Sequence, residues 1–224
     1  METREYAPGR SVDLYGDPGL PTVLLWHGMQ TDSRAAVRTL AGKIAEHGYL
    51  VVAPDWNSHA ADGGRDDLLR SARFAGEQAG DQPLTVVGWS MGGLAAAGLT
   101  LDAQRHGIRL HRTVCLAGAF MAADPLSGAR LAETAPAGEP VPVLLLHGTG
   151  DDVVPAAASS DFAAVLRDRG WPVDYVALDA DHGNIAGARY DAAADRYEAA
   201  DDPATLAVAT EVAARITASD PAGR

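Results

Sequence analysis

Short continuous apolar runs alternate along this chain with longer segments in which apolar residues recur every three or four positions. Pro21–Trp26 (PTVLLW), Tyr49–Ala53 (YLVVA), Leu84–Gly88 (LTVVG), His111–Gly118 (HRTVCLAG), Val141–Gly148 (VPVLLLHG) and Val173–Leu178 (VDYVAL) are of the first kind. Their length and β-branched content predict strands buried on both faces. Ala35–His47 is of the second kind, with Val37, Leu40, Ala41 and Ile44 on one face and Gly48 as its stop. Arg65–Gln78, Met91–Arg105 and Ala156–Arg169 also read as helices, and Asp202-Pro203 is an N-cap and N1 pair opening a last helix through Thr217. Strands alternating with helices predict βαβ units: an α/β fold with a doubly wound, mostly parallel sheet covered on both faces. Ser11–Tyr15 adds an antiparallel edge hairpin. Residues 55–64 read as a loop, Phe120–Pro140 as irregular, and Ala186–Asp202 as a solvated acidic loop rather than a flap. No linker or repeat divides the chain, so residues 1–224 read as one domain.

Composition narrows the function without naming it. Lys plus Arg number 18 and Asp plus Glu 30, a net charge of −12. Such a chain repels phosphate backbones and anionic lipid surfaces, so neither nucleic acid nor a membrane is an expected partner. The single cysteine, Cys115, falls mid-strand and excludes an intrachain disulfide and a thiolate metal cluster. METREYAPGR has no apolar signal core, and no run reaches the roughly 18 apolar residues of a membrane span. The expectation is a soluble, cytoplasmic protein.

Chemistry enters at Gly88-Trp89-Ser90-Met91-Gly92, a G-x-S-x-G motif between a predicted strand and a predicted helix. A serine nucleophile needs a sharp turn that lifts it above the sheet, and the flanking glycines remove side chains that would collide there. The following helix N-terminus directs partial positive charge toward a developing oxyanion. A serine also needs a general base and an acid to orient it. In open α/β sheets, ligands sit beyond the carboxyl ends of the strands. One such loop is His147-Gly148-Thr149-Gly150-Asp151-Asp152, which offers Asp151 or Asp152. The loop after the last strand, Asp179-Ala180-Asp181-His182-Gly183, holds one histidine, His182. The chain order is serine, acid, histidine.

These motifs, with WHGM at Trp26–Met29, HGTGDDVVP at His147–Pro155 and DHG at Asp181–Gly183, resemble the α/β-hydrolases from about Pro21 to Thr217. GYLVVAPD (Gly48–Asp55) is similar to the matching strand of the dienelactone-hydrolase-like branch of small esterases. The founding enzymes of that branch use cysteine where this chain has Ser90, so the likeness carries the fold and not the dienelactone specificity. The resemblance implies Ser90 as nucleophile, His182 as base and Asp151 as acid, ahead of Asp152 and of Asp124, where some relatives carry the acid. It also implies an oxyanion hole from the backbone N–H groups of Met29 and Met91, a loop shaped by His27 and Gly28, and a structural His147.

The reaction so implied is hydrolysis of a small-molecule ester through an acyl-enzyme, with no cofactor and no metal. The short stretch before Val141 leaves no room for a large lid. An open cleft lined by Gln30, Trp56, Asn57, Trp89, Phe120, Met121 and Asn184 suits small to medium acyl groups. The alternatives are a thioesterase acting on an acyl carrier or coenzyme A, and a non-hydrolytic relative that binds a ligand. No oligomeric state follows from the sequence.

Overall fold

The computed structural model describes residues 1–134, 136 and 139–218. Residues 135, 137 and 138, part of the predicted irregular stretch, lie outside the described residues.

Strands β1 (Glu2–Ala7), β2 (Arg10–Tyr15) and β3 (Thr22–Trp26) lead into α1 (Arg38–Glu46), β4 (Leu50–Pro54) and α2 (Arg65–Ala79). Then follow β5 (Leu84–Trp89), α3 (Met91–His106), β6 (Leu110–Leu116), β7 (Val143–Gly148), α4 (Ala157–Asp168) and β8 (Val173–Leu178). A small hairpin, β9 (Ala188–Asp191) and β10 (Arg196–Ala199), precedes α5 (Pro203–Thr217). The first eight strands form one sheet in the order β1-β2-β4-β3-β5-β6-β7-β8. β1 and β2 pair antiparallel, β2 runs antiparallel to β4, and all later pairs are parallel. This is the predicted α/β architecture with its edge hairpin.

Strand alternation sorts the apolar side chains into two cores. Leu24, Trp26, Val86 and Leu145 face α2, α3 and α4. Val23, Leu25, Val87 and Leu146 face α1 and α5, where Leu40, Ile44, Val212 and Ile216 meet them. A strand buried on both faces has no polar side, so its sequence is a continuous apolar run. The last helix starts where its cap predicts: Asp202 accepts a hydrogen bond from the Thr205 N–H at 3.1 Å, and Pro203 follows it. The first predicted helix is split, because a 3-10 turn over Arg34–Val37 precedes α1.

Residues 186–202 correct the expectation of a solvated loop. They hold the β9–β10 hairpin, whose register pairs Tyr190 with Tyr197. The Ala200 N–H donates to Gly187 O at the base of the hairpin, which is fastened to the body where Thr39 Oγ1 donates to Ala200 O and Arg196 donates to Ser33 Oγ at 3.1 Å. Two four-residue strands carry too few positions for a period to show in sequence, and contacts distant in the chain define them. No helix among the described residues is long and apolar enough to cross a membrane.

Candidate active site

β3, β5, β7 and β8 all end on the same edge of the sheet, and the candidate residues follow directly from those ends. The chain goes from β3 outward to β4 and returns to β5 on the other side of β3. That reversal leaves a crevice at the carboxyl end of β3 and β5, where α/β sheets bind ligands.

Ser90 occupies the turn between β5 and α3 with φ 56° and ψ −117°, a backbone conformation that L-residues rarely adopt. The tightness of the turn accounts for both glycines of the motif: a Cβ on Gly88 would collide with Gly92 O, and one on Gly92 with His27 O. The turn is fixed from both sides. Ser90 N–H donates to Leu116 O at 2.8 Å, and the Ala119 N–H donates to Ser90 O at 3.1 Å. Ser90 Oγ makes no hydrogen bond among the described residues. Such contacts are often long in unliganded sites and tighten when substrate engages.

The loop after β3 lies directly over this turn. A Cβ on Gly28 would stand 3.4 Å from Ser90 Cβ and 3.3 Å from the Trp89 ring. His27 organises the loop from beneath, fully buried. Its Nδ1 lies 2.8 Å from Gly28 O, a pure acceptor, so Nδ1 carries the proton. Its Nε2 accepts from the Ser33 and Trp56 N–H groups, each at 3.2 Å. Burial lowers its pKa to about 3, despite the bond to Gly28, so the imidazole is neutral. The N–H groups of Met29 and Met91 have no partner among the described residues. Met91 N–H is an orphan donor of the first helical turn.

Asp151 and His182 meet between the loops after β7 and β8. Asp151 Oδ2 accepts from His182 Nδ1 at 2.8 Å, which leaves His182 Nε2 as the basic nitrogen. Asp151 Oδ1 accepts from the N–H groups of Val153 and Val154 at 2.9 and 2.8 Å. His147 lies 3.3 Å from Oδ2 through Nε2, which also donates to Val154 O at 2.9 Å, while its Nδ1 accepts from Ser159 Oγ at 2.7 Å. Burial pushes the Asp151 carboxyl up, but the bonds from His147, His182 and Val154 outweigh it and hold the acid well below the usual carboxylate range. Trp89 Nε1 donates to His182 O at 2.7 Å, so the residue beside Ser90 anchors the histidine loop. Tyr197 packs edge-on against both rings, with centroids 5.0 Å from Trp89 and 5.8 Å from His182.

The other acid candidates are placed elsewhere. Asp152 is exposed. Asp124 is buried in its own turn, accepting from Leu126 N–H, Ser127 N–H and Ser127 Oγ, with its pKa raised by burial. Of the residues expected to line the cleft, Met121 is exposed. Gln30 is half-buried and accepts from the Tyr197 N–H at 3.3 Å. Asn57 accepts from Thr31 Oγ1, and Asn184 from Asp181 N–H.

Three aromatics of that set do not line a cleft. Trp56 is fully buried, stacked on His27 and bonded to its carbonyl. Trp89 is equally buried, and Phe120 stacks on Phe162 at 4.2 Å within the core. Each indole N–H finds a loop carbonyl, which lets these large rings act as buried scaffold. Sequence reasoning missed Ser159 and the Val153 and Val154 amides as partners of the acid loop. Backbone donors carry no residue signature, and Ser159 is one helical serine among several.

Cys115 is buried in β6, and burial raises its thiol pKa, which leaves it inert. Among the described residues no group of three or more His, Cys, Asp or Glu is arranged to hold a metal ion.

No curated protein sequence matches the chain. Residues 21–131 match the family described as alpha/beta hydrolase fold. Esterase 2 of Thermogutta terrifontis superposes with a TM-score of 0.67 at 20% identity, covering 100% of this chain and 95% of its own. One structure of that protein is described as phosphorylated by paraoxon. An esterase of Pyrobaculum calidifontis gives a TM-score of 0.65 at 17% identity over 93% of this chain and 82% of its own. Esterase B of Lactobacillus rhamnosis gives 0.69 at 16% identity over 96% and 85%. The likeness is to the fold at large, and the dienelactone-hydrolase-like branch rests on the strand motif alone. Sheet order, the strained serine turn and the family model matched over residues 21–131 agree: the chain has the α/β-hydrolase fold.

Proposed function

We propose that the chain, acting as a single domain, is a serine hydrolase that cleaves carboxylic esters of small to medium acyl groups through an acyl-enzyme. The observation that carries this reading is the buried Asp151–His182 hydrogen bond, held by Trp89 next to the strained Ser90 turn. His182 Nε2 takes the Ser90 hydroxyl proton as Oγ attacks the ester carbonyl carbon. The N–H groups of Met29 and Met91 receive the oxyanion, an effect of roughly 3–4 kcal/mol per donor in comparable sites. His182 then returns its proton to the leaving alcohol, and the C–O bond breaks. Water, activated by the same nitrogen, attacks the acyl-enzyme and frees the acid and Ser90. Asp151, held ionised, fixes the histidine tautomer and stabilises its cation.

The surface supports an acyl substrate. Among the described residues, the large apolar side chains that stand exposed, apart from Met1, are Met29, Met121, Val153 and Tyr190. Each belongs to a loop or hairpin that follows a strand at its carboxyl end. Met29 adjoins Gly28, Val153 donates to Asp151, and Tyr190 packs on Tyr197. Met29, Val153 and Tyr190 thus stand beside the loops that carry Ser90, Asp151 and His182, where exposed apolar side chains suit an apolar substrate.

A fluorophosphonate probe tests the reading. It should label Ser90 in the wild type and leave Ser90→Ala unlabelled, and ester turnover should vanish with the label. Well-folded wild type that resists the probe and hydrolyses no ester would falsify it.

A further inference from the structure

The mouth of the site is net negative. Asp152 follows Asp151 in the chain and Asp181 precedes His182, so an exposed carboxylate adjoins each half of the pair. Asp191 and Asp195 stand exposed at the tip of the β9–β10 hairpin, where Asp195 accepts from the Tyr190 hydroxyl. Among the described residues none of these four takes part in an ion pair. Their field reaches the aromatic wall of the site. Burial raises the Tyr197 pKa first, and Asp152, Asp151 and Asp181 raise it further.

Most of the cations near these loops are already paired with acids. Arg196 pairs with Glu198 at 2.7 Å, Arg10 with Asp32 and Asp67, and Arg34 with Asp13 and Asp55. Arg189, exposed on β9, makes no ion pair among the described residues, so one cation stands against the four carboxylates and the mouth stays net negative.

We infer that this net negative mouth sets the substrate class, selecting esters whose acyl and alcohol parts are apolar and either uncharged or cationic and discriminating against carboxylate- or phosphate-bearing esters and thioesters. The inference rests on the ester-hydrolase reading. Its physics is ordinary: a cleft lined by one sign of charge focuses its field on an approaching substrate and lowers the local concentration of like-charged ones. The apolar rim supplies attraction without charge, so chain length and charge act as separate determinants.

The test uses two p-nitrophenyl esters of equal chain length, the pentanoate and the glutarate with a free terminal carboxylate. Each is assayed at 10 and 500 mM salt. At low salt kcat/KM for the carboxylate ester should be about tenfold below that of the pentanoate. The gap should narrow severalfold at high salt, where charges more than a few ångströms apart are screened. Asp152→Asn and Asp181→Asn together should narrow it at low salt. Among the described residues Asp152 makes no side-chain hydrogen bond, so Asp152→Asn alone serves if the double variant folds poorly.

The same ratio, measured as labelling rates of Ser90 by neutral and carboxylate-tagged phosphonate probes, requires no turnover. A gap that is absent, or that salt does not change, overturns the charge selection while labelled Ser90 keeps the hydrolase reading intact. Ser90 that neither probe labels, with neither ester cleaved, removes the reading and the charge selection together.

Discussion

Asp151 and Asp152 are the same residue type at adjacent positions, and their surroundings give them different chemistry. Asp151 has a buried side chain with both oxygens occupied, one by two backbone N–H groups and one by His182. Asp152 is exposed. Asp151→Asn leaves the size unchanged but can present an amide N–H to Nδ1, which favours the wrong histidine tautomer. Turnover should therefore fall by about 10³ to 10⁴, while Asp152→Asn should change kcat for a neutral ester less than threefold. Steady-state kinetics on the two variants with one neutral ester decides it, and the opposite ranking would reassign the acid. From the residues alone the choice between these neighbours stayed open. Two backbone amides and His147 hold Asp151, not Asp152, against His182, and no local pattern announces those groups. Ser90 was legible, because the collision that its turn would force on larger side chains makes Gly88 and Gly92 obligatory.

At the scale of elements, sequence legibility followed burial. Strands covered on both faces, β3 to β7, read plainly as apolar runs, and Asp202-Pro203 marked the start of α5. The β9–β10 hairpin did not, since its exposed and half-buried residues take their order from distant partners rather than from a period. The aromatics beside the motifs were misplaced for a related reason: a tryptophan next to a functional loop is equally able to support it from within, as Trp56 and Trp89 do.

The hairpin reaches the proposed active site through Tyr197, whose ring packs against the His182 imidazole and whose N–H donates to Gln30 on the loop after β3. Tyr197→Ala should lower kcat about tenfold with little change in KM, because His182 then samples orientations away from Ser90. Tyr197→Phe keeps the ring and should restore the rate. If both variants lose activity equally, the hydroxyl rather than the ring is what matters; if neither does, the hairpin has no part in positioning the base.

The whole molecule carries the pH dependence of these local arrangements, and its sign follows from the buried groups. His27 is neutral in the folded chain, with a pKa of about 3 against an ordinary 6.5, so below pH 6.5 the unfolded chain binds a proton that the folded chain refuses. Stability must therefore fall as pH drops from 6.5 toward 3, by about 2 kcal/mol at pH 5 from this one group. Asp151 acts in the same direction in a lower window. Its depressed pKa contributes stability above the ordinary carboxylate value of about 4, and that contribution is lost as pH falls further. The two windows adjoin, so stability should decline over an extended pH range rather than within one narrow interval.

His27→Asn separates them. It removes one titrating group and weakens the bonds to Ser33 and Trp56, so the variant should be less stable at pH 7. Its loss of stability between pH 7 and pH 5 should nevertheless be about 2 kcal/mol smaller than that of wild type. Urea unfolding at the two pH values reads the difference directly. A variant whose stability falls as steeply as the wild type's over that interval would mean that His27 is protonated in the folded state. The loop it supports would then be held by a charged imidazole, which is incompatible with Nε2 accepting two backbone N–H groups.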